Sequence, residues 1–227
     1  MIAHPSHKVS ECTTTRERWI SLCQRLGAKD DSVTERTINS IYAEIITAYT
    51  ESSRHYHDIN HIRDGLVFVD EVHHLVEDPD ILEAAWWLHD FVYNTRSGPK
   101  ENEEDSAVFA DKIFRKLEIL PHKRIRIMRR ILSTTHDHIP IHSDDWFMID
   151  IDLASLASPP ETFDENAEKI RKEYGASVEA FKIGRANFFR KFLADRPSIY
   201  LSAYFQNKYE ALAQENIKRF LSTVRSE

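Results

Sequence analysis

The sequence predicts an all-α protein, and three observations carry that expectation. Glycine is scarce: the 227 residues hold only 5 Gly and 8 Pro, where average usage would give about 16 Gly. Sandwiches, barrels and nucleotide-binding sheets consume glycine in turns and phosphate loops, whereas helices with short connections do not. Apolar residues also recur at helical spacing in one segment after another, bounded by capping residues and prolines. Finally, a chain of this length, 41% hydrophobic and 30% charged, buries roughly 70% of its unfolded surface and can hold one substantial core.

Residues 1–12 are polar and read as a flexible tail, leaving 13–227 as a single helical domain. Trp19, Ile20, Leu22, Cys23 and Leu26 share one side of a helix from about Thr15 to Leu26, with Gly27 as its stop. Ser32 and Glu35 have capping-box spacing and open an amphipathic helix through Ile38, Ile41, Tyr42, Ile45, Ile46 and Tyr49. The stretch Ser53–Ile62 leads into a helix through Leu66, Val67, Val69, Val72 and Leu75. Asp78-Pro79 pairs an N-cap with a proline at the first helical position. The helix it begins, ILEAAWWLHDFVY, is apolar almost all round and is expected to be central.

A polar loop at Ser97-Gly98-Pro99 precedes a helix near Asn102–Leu117, and Pro121 starts the basic helix HKRIRIMRRIL. After Pro140 comes SDDWFMIDIDLASLA, then a break at Ser158-Pro159-Pro160 and three further helices rich in Phe and Tyr. Phe188, Phe189, Phe192, Tyr200, Tyr204, Phe205 and Tyr209 are read as core, with a homodimer face as the other use of such a stripe.

Composition also excludes functions. Net charge is −7, with 30 Lys+Arg against 37 Asp+Glu, which disfavours general nucleic-acid binding. The N-terminus lacks an apolar signal region, and no apolar run approaches the roughly 20 residues of a membrane span, so a cytoplasmic protein without membrane contact is expected. Two cysteines, Cys12 and Cys23, cannot build a thiolate site or a disulfide framework. Twelve histidines mean that any bound metal is held by histidine and carboxylate.

Three apolar stretches are interrupted by such residues. His89-Asp90 follows Ala84–Leu88; neighbours on a helix project about 100° apart, close to the right angle between adjacent ligands of an octahedral ion. The other reading is a helix-terminal pair with one side chain solvated. His57 and His61 are four apart and share a face if their helix begins early enough, so that one binds metal while the other serves as general acid; alternatively they sit in a solvated loop. Asp150 and Asp152 interrupt Trp146–Leu156, and one of them could be no more than a cap.

In order these elements read H…HD…D. Arg54–Ile62, Ala84–Tyr93, Asn102–Ala107 and Asp150–Leu156, spread over close to half the chain, resemble motifs of the HD superfamily of metal-dependent phosphohydrolases, in its short bacterial branch. The resemblance implies a helical HD fold holding one or two divalent ions, with Mg, Mn, Zn, Fe, Co and Ni not distinguished. The ligands it implies are a histidine, His89, Asp90 and a distal aspartate. Tyr56-His57 with His61 is also similar to a cyclic nucleotide phosphodiesterase motif, which implies His61 as ligand and His57 as acid, or the exchange of those roles. The family's aspartate stretch aligns better with Asp152 than with Asp150. Asp90 could also bridge to a second ion. No purine-binding segment of the phosphodiesterases is matched, so the implied substrate is a small phosphorylated metabolite or nucleotide.

Arg54 is read as a phosphate contact, and Glu103 and Glu104 either serve a second ion or water or form a solvated helix start. His138, ahead of His136, is read as a solvated helix end or as a further residue facing the site. The basic helix, with Lys123, Arg124, Arg126, Arg129 and Arg130, is read as a solvated face or a phosphate holder. Two alternatives remain: a di-iron oxygenase, which needs two more histidines between the HD pair and the last Asp, and a non-catalytic metal- or ligand-binding module.

Overall fold

A computed structural model describes residues 15–98 and 100–224. The tail expected at residues 1–12 lies outside the described residues. Those described form ten α-helices and two short 3₁₀ turns, with no strand among them. In order they are α1 (Thr15–Leu26), α2 (Ser32–Tyr49), α3 (Ile59–Val72), α4 (Pro79–Leu88), α5 (Glu101–Lys116), α6 (Pro121–Ser133), α7 (Ser143–Asp152), α8 (Pro160–Glu173), α9 (Val178–Asp195) and α10 (Ala203–Ser222). The 3₁₀ turns are His73–Leu75 and Ala154–Ala157. None of these helices is long and apolar enough to cross a membrane.

α4 is the hub. Every residue from Ile81 to Leu88 is buried, and the helix packs against α1, α3, α5, α6 and α7. Trp87 meets Trp19 edge-on at 5.7 Å, while Trp86 turns toward α3 and donates its Nε1–H to the Ile62 carbonyl at 2.8 Å. Burying a side chain of this class contributes about 1.5–3 kcal/mol. Phe189, Tyr200 and Phe205 are fully buried, so most of the C-terminal aromatic stripe packs internally, although Phe188 remains exposed.

Several local expectations are corrected. α2 is capped by Asp31, whose extended backbone lets its carboxylate accept the Val33 and Thr34 N–H groups, and Ser32 is already helical. The run through His89–Tyr93 does not continue α4, which ends at Leu88. Just past it, Arg54 donates to the Asp90 and Phe91 carbonyls at 2.6 and 2.7 Å and holds the non-helical chain there.

The basic helix α6 is neither a solvated face nor a phosphate holder. Arg130 is fully buried and pairs with Asp144, Arg129 pairs with Asp145, Arg126 with Asp78 and Arg124 with Asp111. Lys123 donates to the Leu26 carbonyl. These cations tie α6 to its neighbours.

Candidate metal centre

Asp58 caps α3, accepting the Asn60 and His61 N–H groups at 2.8 and 3.2 Å, and so sets His61 in the first helical turn. His57 precedes the cap and therefore does not share a helical face with His61. At the C-cap of α4, His89 donates Nδ1–H to the Trp86 carbonyl at 2.9 Å, which fixes the ring with Nε2 turned into the cluster. The Trp86 ring lies flat against His89 at 4.4 Å and also touches His61.

These contacts aim four ligand atoms at one point. His61, His89, Asp90 and Asp152 each offer an atom, all within 4.8 Å of one another. The two Nε2 atoms are 3.2 Å apart; His89 Nε2 lies 3.0 Å from Asp90 Oδ2 and 3.5 Å from Asp152 Oδ1. Ligands bonded at about 2.1 Å and at right angles are about 3.0 Å apart, and tetrahedral ones slightly further. Asp90 Oδ2 is buried with no hydrogen-bond donor, a costly state for a carboxylate without a cation. Burial works against a charged His89, yet Asp90 and Asp152 outweigh it and push the imidazole up to about 10. Without an ion, the cluster draws protons into the place where positive charge is wanted. The residues present fit a divalent metal.

Asp150 and Asp152 are two apart in α7 and so project roughly 200° from one another; only one can face the cluster. Asp152 does. Asp150 is buried elsewhere, accepting the Leu201 and Ser202 N–H groups at 2.7 and 2.8 Å, and burial pushes it up to about 6.

The supporting residues redistribute. Arg54 also donates to the His57 carbonyl at 3.1 Å, so its guanidinium is engaged by three backbone carbonyls and is not a phosphate contact. His138 is exposed and pairs with Asp137, whereas His136 reaches the site, its Nε2 2.9 Å from Asp152 Oδ2. His136 adopts φ 56°, a left-handed conformation unusual outside glycine. Glu103 is half-buried in the first turn of α5, its carboxyl raised by burial and by the charges of Asp90 and Asp152. Glu104 is exposed.

The sequence reading missed Glu173. One of its oxygens accepts the N–H groups of His55, Tyr56 and His57 at 2.8–2.9 Å, and the other lies 2.7 Å from His57 Nδ1. Burial raises this carboxyl, but the hydrogen bond and charge of His57 dominate and bring it to about 2. Tyr93 stacks on the His57 ring at 4.2 Å and donates its hydroxyl to the same Glu173 oxygen at 3.3 Å. A cavity of about 320 Å³ adjoins the cluster, with Tyr56, His61, Phe68, Asp152, Ser155 and Lys169 among its lining residues. Compared with known proteins, the chain matches no family model, no curated protein and no solved structure.

Proposed function

We propose that the chain is a metal-dependent phosphohydrolase of the HD type, acting on a small phosphorylated metabolite or nucleotide. The observation that carries the reading is the convergence of His61, His89, Asp90 and Asp152 around an orphaned buried carboxylate oxygen. A divalent ion held there supplies a bound water of lowered pKa and offsets charge on a phosphoryl oxygen. His57 contributes separately. Its Nδ1 is engaged by Glu173, so Nε2 is the nitrogen that presents a proton to a leaving oxygen. Asp152 is held in orientation by His136 through the oxygen facing away from the other ligands.

A di-iron oxygenase needs two further histidine ligands. His136 reaches the cluster, but its Nε2 is engaged by Asp152, and His57 is engaged by Glu173. Hydrolysis is therefore the better use of this donor set. The test is a panel of phosphate esters assayed across divalent metals, with elemental analysis of each protein. Asp90→Ala is expected to lose metal and activity together. His57→Ala is expected to keep its metal while kcat falls by about 10²–10⁴. Undiminished phosphate release in both variants would overturn the reading and leave a metal-binding module.

A further inference from the structure

We propose that Arg54 is a positioning residue that ties the acid His57 to the metal-ligand segment at Asp90 and so sets where the acid's proton is delivered. The inference rests on the phosphohydrolase reading. The Arg54 side chain is only 2% exposed. One of its nitrogens, Nη1, donates to the His57 carbonyl at 3.1 Å and to the Asp90 carbonyl at 2.6 Å. Nη2 donates to the next carbonyl, that of Phe91, at 2.7 Å. The backbones of the acid and of a candidate ligand, far apart in sequence, therefore meet across a single atom.

The acid's ring belongs to the same assembly. The Arg54 guanidinium lies over the rings of Tyr49 and Tyr93 at 5.0 and 5.6 Å. Tyr93, just past Asp90 in the chain, stacks on His57 at 4.2 Å. Its hydroxyl donates to the Glu173 oxygen that engages His57 Nδ1. Arg54 thus holds the acid's backbone directly and its ring through Tyr93.

Its partners separate Arg54 from the arginines that only tie helices together. Those meet carboxylates: Arg130 pairs with Asp144, Arg126 with Asp78 and Arg124 with Asp111. The carboxylate within ion-pair range of Arg54 is the exposed Glu51, 3.9 Å from Nε, a weak return for burying a cation. Arg54 instead spends its donors on the carbonyls of two residues of the site. A planar fork fixes distance and direction together, which a lysine ammonium does not. Three of the candidate ligands are set without it: the Asp58 cap places His61, the Trp86 carbonyl turns His89, and His136 orients Asp152. Loss of Arg54 therefore displaces the acid more than the ion, and a displacement of about 1 Å costs about 10²-fold in rate.

The test is Arg54→Lys in the manganese-loaded full chain, read on two esters. One is the alkyl phosphate that the wild type hydrolyses best, whose leaving alkoxide needs a proton; the other is 4-nitrophenyl phosphate, whose leaving group departs without one. On the alkyl ester kcat is expected to fall about 10–10²-fold with KM within about twofold. On the nitrophenyl ester the fall is expected to be less than about threefold. Manganese content is expected to be unchanged, and in a His57→Ala background Arg54→Lys is expected to add no further loss. Equal losses on the two esters, or full additivity with His57→Ala, overturns the proposal, because a residue that only supports the fold slows both esters alike.

Should the Lys variant not fold, Arg54→Gln, which keeps a neutral donor on a shorter stem, is read by the same comparison. If the wild type hydrolyses no ester, the hydrolase reading fails and amide hydrogen exchange decides the tie on its own. The N–H groups of His55, Tyr56 and His57, accepted by Glu173, should then exchange at least about tenfold faster in Arg54→Lys, with those of α1 unchanged. Unchanged exchange at these three residues refutes it.

Discussion

Glu173 accepts three consecutive backbone N–H groups with one oxygen and holds His57 with the other, so one carboxylate sets both the loop and the ring. Glu173→Gln keeps the shape but loses the charge that favours a protonated His57. Steady-state kinetics on the best ester should show kcat reduced roughly tenfold, less than in His57→Ala, with metal content unaltered. The same residue predicts a pH effect. Its folded pKa of about 2 lies below the unfolded value near 4.3. Its stabilisation is therefore complete above about 4.3 and is lost as pH falls toward 2. Urea midpoints measured across that window should fall in the wild type and show a shallower slope in Glu173→Gln; identical slopes would remove Glu173 from this role. His89, Asp90 and Asp152 were legible because a charged group inside an apolar run is conspicuous. Glu173 was not, since a glutamate in the polar run KIRKEYGA resembles any solvated helix end until the fold brings it to His57.

Among the helices, the contact between α3 and α4 fixes the distance between His61 and His89. It depends on Gly65, where an added Cβ would lie 1.8 Å from the Trp86 ring. Gly65→Ala is expected to cost about 1–3 kcal/mol in urea unfolding and to weaken metal binding, because pushing the helices apart separates two ligands. Gly184→Ala is the control: nothing lies within 4 Å, and alanine should stabilise α9 by about 0.5–1 kcal/mol. Equal effects of the two substitutions would refute this account. Low glycine content correctly indicated helices, but composition cannot tell which of five glycines lies beneath an indole. Charge pattern was similarly mute for α6, whose arginines read as solvated until α7 supplied Asp144 and Asp145. Periodicity placed the helices well and their ends less well: α4 stops at Leu88, and the residues just past it, Asp90 and Phe91, give their carbonyls to Arg54, far away in sequence.

At the scale of the molecule, the four candidate ligands come from α3, the end of α4 and α7, so an ion held there would constrain the whole packing. An ion at 100 times its dissociation constant adds about 2.7 kcal/mol of stability, which for a chain of this size is roughly 5–10 °C in Tm. Thermal melts with manganese and with a chelator should differ by that amount in the wild type and not in Asp90→Ala. The all-α class was legible from composition and period alone, whereas the meeting of distant helices was legible only as a list of unusual residues. That distance has a temporal side. All four ligands lie at or before residue 152, but the carboxylate that holds His57 arrives from 116 positions downstream of it. Synthesis runs from the N-terminus, so all four candidate ligands emerge before the carboxylate that engages His57.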